Sequence, residues 1–331
     1  MGSRNARVLT LGETMVLLDP LDDERPYAGQ RLQLRIGGSE SNLAIALARL
    51  GTSVVWVSRL GADPFGDVIE STLKKENVEV VAPRDRSAPT GLFYKWREDG
   101  RSRNIYYRQG SAASGLSPVD VPPELLAGCD LVHLTGITTA ISSTARSLVL
   151  DVAQRAQDAK IPVLFDPNYR PALWSSGETA FEAHRELLGN VTWYLCGLDE
   201  ACALFGTRDS TSTIAAMDAV GITRAVIRIG EEGAVVRQAG ELLQIPLARA
   251  TSVVDEVGAG DGFTAGFAYG LLRGWSPEAC TLAGNLIAAR ALAGTGDWET
   301  FPTRAKFEAD LAAARSASVG DSPGNRPEGT P

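Results

Sequence analysis

Val253-Val254-Asp255-Glu256-Val257-Gly258-Ala259-Gly260-Asp261-Gly262-Phe263-Thr264-Ala265-Gly266 is the stretch on which the reading of this chain turns. Gly258, Ala259 and Gly260 carry almost no side chain, so backbone can come close to a ligand there. They lead straight into an apolar helical pattern. The first N–H groups of a helix have no partner inside it, and with the helix dipole they form a site for an anion. Asp261 falls in that first turn. Two readings of it stand side by side: a plain helix cap, a common use of aspartate, or a carboxylate set beside an anion that the backbone holds. Two other phosphate motifs are excluded. G-x-x-x-x-G-K-[ST] does not occur, so this is not a P-loop. Phe263 stands where G-x-G-x-x-G needs glycine, so the segment is not a dinucleotide fingerprint.

Upstream of this stretch, short β-branched and aliphatic runs alternate with helical periodicity. Val8 to Leu11, Val54 to Ser58, Leu131 to Leu134, Val163 to Phe165, Thr192 to Leu195 and Ala225 to Ile229 read as buried strands. Asn42 to Leu50, Phe65 to Glu76, Ser142 to Asp158, Asp199 to Phe205 and Thr213 to Val220 read as helices. Gly260 to Arg273, Ser276 to Ala293 and Arg304 to Arg315 follow as helices, the middle one opened by Ser276-Pro277-Glu278. Such alternation predicts an α/β fold: a mostly parallel central sheet with helices on both faces. Two regions do not fit it. Residues 13–36 and 90–108 are polar, β-prone and aromatic, and Leu92-Phe93-Tyr94-Lys95-Trp96 and Asn104-Ile105-Tyr106-Tyr107-Arg108 flank the turn 98–102 like a hairpin. They are expected to form a small second sheet, a candidate lid. The ordered domain is expected to span 1–315, and 316–331, poor in apolar residues, to be a disordered tail.

Composition narrows the function. The chain has 331 residues, 44% of them hydrophobic and 22% charged, with a net charge of −8. That is globular chemistry, and it speaks against nucleic acid as the main partner, because phosphate backbones want a basic face. No run reaches the roughly 18 apolar residues of a membrane span, and residues 1–7 do not read as a signal peptide, so a cytoplasmic location is expected. The four cysteines contain no C-x-x-C pair and read as reduced, mostly buried thiols. With two histidines, a His/Cys zinc site is not expected. His133, inside an apolar strand, reads as a core residue.

Three further segments carry chemistry. Ile36-Gly37-Gly38-Ser39-Glu40-Ser41-Asn42 precedes the first long helix; it is either a tight strand-to-helix turn or a place where backbone approaches a polyol. Tyr106-Tyr107-Arg108 and Phe165-Asp166-Pro167-Asn168-Tyr169-Arg170 bring arginines near strand ends, where ligands of open α/β sheets sit, and arginine's planar fork matches carboxylate or phosphate. Arg228-Ile229-Gly230-Glu231-Glu232-Gly233-Ala234 reads most simply as a β-turn between two strands.

Taken in this order, the segments resemble the ribokinase-like (PfkB) family of carbohydrate kinases, from about Val8 to Leu311, and within it the 2-keto-3-deoxygluconate kinases. The resemblance implies a ribokinase-like fold and transfer of the ATP γ-phosphoryl to a sugar acid, with Mg²⁺ and, in some members, a monovalent cation. By the same resemblance Asp261 is the base and Gly258, Ala259 and Gly260 form the anion hole. Gly38, Asn42, Phe93, Tyr106, Arg108 and Arg170 surround the sugar. Gly197, Arg228, Gly230, Gly233 and Asn285 serve ATP together with Gly258 and Gly260, and Glu200 acts indirectly on the metal. The lid implies a homo-oligomer. Three positions depart from the pattern: Gly197 replaces an Asn, Glu256-Val257 precedes Gly258, and Phe93 replaces a Tyr. A neutral-sugar kinase such as a fructokinase, and an inactive sugar-acid sensor, are the rival readings.

Overall fold

The computed structural model describes residues 5–22, 24–98, 101–247 and 257–320. Among these residues nine strands form the central sheet, in the order Glu241–Ile245, Ala234–Gln238, Arg224–Arg228, Trp193–Gly197, Val163–Asp166, Leu131–Thr135, Arg7–Leu11, Ser53–Val57 and Glu79–Val81. The seven strands from Arg224–Arg228 onward run parallel, and the two at the other edge are antiparallel. Parallel strands need both faces covered, and the strand residues divide accordingly. Val8, Val54 and Trp56 belong to one apolar cluster with Leu43, Ile69, Phe263, Cys280 and Phe307. Leu9, Leu11, Val55 and Val57 belong to the other, with Val149, Leu187, Ala201 and Ile214.

Helices Ser39–Arg49, Pro64–Lys75, Ala259–Leu271, Pro277–Leu292 and Arg304–Gly320 thus cover one face, and Ser143–Asp158, Gly177–Leu188, Leu198–Phe205 and Ser210–Ala219 the other. Most starts have a local cause. Asp63 accepts from Gly66 N, Ser142 from Ala145 N and Ser276 from Ala279 N, each satisfying an orphan donor.

A separate four-stranded sheet, in the order Leu32–Gly37, Met15–Pro20, Leu92–Glu98, Arg101–Tyr107, is drawn from the two regions expected to form it. Its register separates two faces. Leu32, Leu34, Ile105 and Tyr107 fall on one face and are all exposed. Met15, Leu17, Phe93 and Tyr106 fall on the other, where the first three form a small buried cluster and the last two rings stack at 5.6 Å.

Some boundaries differ from expectation. Helix Gly136–Ile141 begins directly at a strand end, where Thr135 caps it, and is too short to leave a periodic signal. Helix Arg304–Gly320 runs past Ser316, because an alanine-rich stretch continues the helical propensity of the preceding turn. The rest of the expected tail, 321–331, and the segment 248–256 with Glu256 lie outside the described residues.

Candidate active site

Gly258 opens helix Ala259–Leu271 in the left-handed region at φ 77°, and a Cβ there would sit 1.8 Å from the Asp297 carbonyl oxygen. Only glycine fits, so the turn presents its backbone directly. Asp261, in the first turn, makes no capping bond within its own helix. Its carboxylate faces another element: Ser39 Oγ donates to Oδ1 at 2.6 Å and Asn42 Nδ2 donates to Oδ2 at 2.7 Å. Its hydrogen bonds therefore tie the turn after Gly258 to the start of helix Ser39–Arg49. Burial raises its pKa above the usual carboxylate value, the Ser39 and Asn42 bonds oppose that rise, Asp166 adds to it and Arg170 lowers it.

Ser39 and Asn42 begin the helix that follows Gly37-Gly38. Each glycine has a steric reason. A Cβ on Gly38 would lie 2.5 Å from the Glu13 carbonyl, and one on Gly37 would lie 2.3 Å from Asp297 Oδ2 and 3.0 Å from Phe93 Cζ. The turn therefore abuts Phe93 of the small sheet. Asn168, in the turn after strand Val163–Asp166, donates to Ser39 Oγ at 2.8 Å. Arg170, two residues on, is exposed and makes no ion pair among the described residues, while its charge reaches Asp261.

Behind Asp261 lies a second charged group. Arg228 Nη1 is 3.7 Å from Asp166 Oδ2 and its Nη2 is 3.9 Å from Glu200 Oε2, with the guanidinium over the Phe263 ring. A Cβ on Gly260 would lie 3.6 Å from Arg228 Nη2, which sets this cation beside the glycine turn. Burial, followed by the Asp166 charge, pushes Glu200 up to about 7, against the pull of Arg228. Glu200 also accepts from the Gly197 and Tyr169 N–H groups. The missing Asn side chain at 197 leaves that link intact, because it runs through backbone.

Arg228 Nη1 and Asn285 Nδ2 are both buried donors with no hydrogen-bond acceptor among the described residues. Asn285 lies on helix Pro277–Leu292, which packs on helix Ala259–Leu271. Buried donors of this kind fit a polar ligand such as a nucleotide. Gly230 and Gly233 border a short 3₁₀ turn at φ 59° and 94°, and Gly233 is pressed against the Ile245 carbonyl, so the turn reading holds for their geometry. Among the described residues, no group of three or more His, Cys, Asp or Glu could ligate a metal alone. Magnesium suits what is present, since it is usually held by one or two carboxylates plus substrate phosphates.

Arg108 stands differently from Arg170. Glu13, almost fully buried, accepts from its Nε at 2.7 Å and lies 2.6 Å from Nη2. Ser111 holds the other Glu13 oxygen at 2.5 Å. Asn168, Asp166 and Glu13 had no signal of their own in the sequence, and Ser39 signalled only a helix start. Three of these four lie in the segments singled out, at strand or helix ends.

The sequence pattern of pfkB family carbohydrate kinases matches residues 5–304. The 2-dehydro-3-deoxygluconokinase of Bacillus subtilis is 32% identical over 312 residues, covering 93% of this chain and 96% of its own. The 2-dehydro-3-deoxygalactonokinase of Haloferax volcanii is 31% identical over 290 residues, covering 86% and 90%. Among solved structures, a PfkB protein from Polaromonas sp. JS666 superposes with a TM-score of 0.82 at 31% identity, over 92% of this chain and 99% of that one. With a match over nearly the whole described chain and a ribokinase-like fold, the chain belongs to the pfkB family of carbohydrate kinases.

Proposed function

We propose that this kinase phosphorylates 2-keto-3-deoxy-D-gluconate, using ATP to give the 6-phosphate and ADP. The observation that carries the chemistry is Asp261, held by Ser39 and Asn42 at the mouth of a helix whose first residues offer bare backbone N–H groups. In this reading the carboxylate takes the proton from the attacking sugar hydroxyl. The N–H groups at Gly258, Ala259 and Gly260 stabilise the charge on the transferring phosphoryl, as phosphoryl transfer asks mainly for positioning and electrostatics. Arg228 neutralises phosphate charge beside that turn. Gly230, Gly233, Gly197 and Asn285 would border the nucleotide. Asp166 and Glu200 would hold Mg²⁺, which would supply charge neutralisation on the ATP phosphates.

Support for the sugar acid comes from Arg170, an exposed cation at a strand end near the base, and from the names of the relatives. Arg108 is shared with Glu13, so it would contribute direction more than net charge. Phe93, stacked on Tyr106, would pack on the sugar beside Gly38, with Asn42 orienting the base. The opposite face of the small sheet, with exposed Leu32, Leu34, Ile105 and Tyr107, supports its use as a lid through which two copies pair. The galactonokinase relative favours one second reading, the galacto epimer as substrate. ATP consumption over the gluco and galacto epimers, gluconate, fructose and ribose separates them. The gluco acid should give the highest kcat/KM.

A further inference from the structure

Glu40 lies between Ser39 and Asn42 in the chain, yet its side-chain hydrogen bonds are with Thr135 and Thr138 rather than with Asp261. Its side chain is essentially inaccessible. One carboxylate oxygen, Oε1, accepts two hydrogen bonds: from Thr135 Oγ1 at 2.5 Å and from Thr138 Oγ1 at 2.8 Å. Thr135 ends a central strand and Thr138 lies in the first turn of the helix after it. The space for the carboxyl exists because the first strand is followed by Gly12. A Cβ there would lie 2.2 Å from Glu40 Cδ and 2.5 Å from Thr138 Oγ1. Among the described residues no cation pairs with Glu40, and burial pushes its pKa up to about 7. Burying an acid this way is costly.

We propose that Glu40 is a positioning residue: through Thr135 and Thr138 it pins the start of helix Ser39–Arg49 to the central sheet, so that Ser39 and Asn42 hold Asp261 in one orientation. This rests on the reading of Asp261 as the base. The two bonds lower the pKa of Asp261, so loosening them raises it. The charged groups that face Asp261 are Asp166, Arg170, Arg228 and Glu40 itself. A role of Glu40 through charge alone has the opposite sign, because removing a nearby negative charge lowers the pKa of Asp261.

The test compares Glu40→Ala and Glu40→Gln with the wild type in steady-state kinetics across pH, with Asp261→Asn run alongside. Glutamine keeps an Oε1 that can accept both threonine hydroxyls. Glu40→Ala should lower kcat about 10- to 100-fold, the scale of a misplaced reacting group, with KM for ATP unchanged. It should also move the acid limb of the kcat/KM profile upward by about half a pH unit or more. Glu40→Gln should recover most of the lost kcat, with no upward move of the limb. A smaller fraction of folded enzyme would lower kcat without moving the limb. Should Glu40→Ala fail to fold, Thr138→Val, which deletes one of the two donors, should give the same upward move in smaller measure. The proposal is overturned if the limb stays in place or moves down in Glu40→Ala, or if glutamine is as damaging as alanine. If Asp261→Asn retains turnover near wild type, it is the base reading that fails instead.

Discussion

Asn42 Nδ2 donates to Asp261 Oδ2 at 2.7 Å, joining two positions 219 residues apart in the chain. The bond ties the turn after Gly37-Gly38 to the turn after Gly258, so the two glycine-rich segments form one site. With Ser39 on the other oxygen, the carboxylate has both its oxygens engaged and a fixed orientation. A simple helix cap would have turned back to its own N–H groups.

Asp261→Asn tests the base directly. The amide keeps the shape and loses proton acceptance, so kcat should fall by roughly 10²–10⁴-fold. ATP affinity, measured by calorimetry, should stay within a few-fold of wild type. Turnover within a few-fold of wild type would leave Asp261 a structural residue.

Arg228→Met should leave Asp166 and Glu200 facing each other without their cation. Breaking a buried ion pair from one side typically costs about 3–5 kcal/mol, and partial exposure of Arg228 puts the expected loss at the lower end. Glu200 would be pushed further up, so the loss should be largest at pH 8 and shrink at pH 5.5, where Glu200 is protonated. Urea unfolding at the two pH values reads this, and an equal loss at both would contradict the pairing.

The buried Glu40 makes a separate prediction for stability. Its pKa is lifted by burial from 4.5 to about 7. An acid raised in the folded state contributes stability that is fully present below its unfolded value and is lost as pH rises through its folded value. Glu40→Gln removes that dependence, while Glu200, with the same sign, remains in both proteins. The stability of the variant relative to wild type should therefore rise between pH 4.5 and pH 8, by roughly 2–3 kcal/mol. A difference that is flat with pH would mean that Glu40 is not protonated in the folded protein near neutrality.

Much of this site was legible in the sequence, because its anchors are local. A glycine turn before an apolar helix, a Gly-Gly turn before another, and polar residues just after strand ends are read from a few neighbouring positions. The alternation of strands and helices gave the sheet for the same reason. What was not legible lies in long-range pairing. Ser39 reads as a helix-start residue, and nothing near it tells that it faces Asp261. Arg108 reads as a free cation until Glu13, from another strand end, is folded against it. Glu40 reads as an ordinary first-turn acid, yet the fold places it under the sheet ends with two threonines. The Gly233 turn looked generic, and it is the Ile245 carbonyl opposite that leaves no room for a Cβ there.

Arg170 bears on substrate charge. In a closed site an arginine fork on a carboxylate is charge-assisted and directional. Losing one partner of such a pair typically costs about 2–5 kcal/mol, or roughly 30- to 5,000-fold in kcat/KM at about 1.4 kcal/mol per tenfold. Arg170→Ala should impose that loss on the sugar acid and little on fructose. Arg170→Lys should recover only part of it, since lysine lacks the fork. Equal damage to both sugars would assign Arg170 to the fold or to the ATP phosphates.

The most direct measurement is kcat/KM of the wild-type enzyme for 2-keto-3-deoxy-D-gluconate and for fructose, with ATP and Mg²⁺ at saturation. An exposed Arg170 whose charge reaches Asp261 predicts clear preference for the acid, by about 30-fold or more on the scale of one charged contact. Equal rates, or a preference for fructose, would contradict the sugar-acid assignment and make the neutral ketose the substrate of this fold.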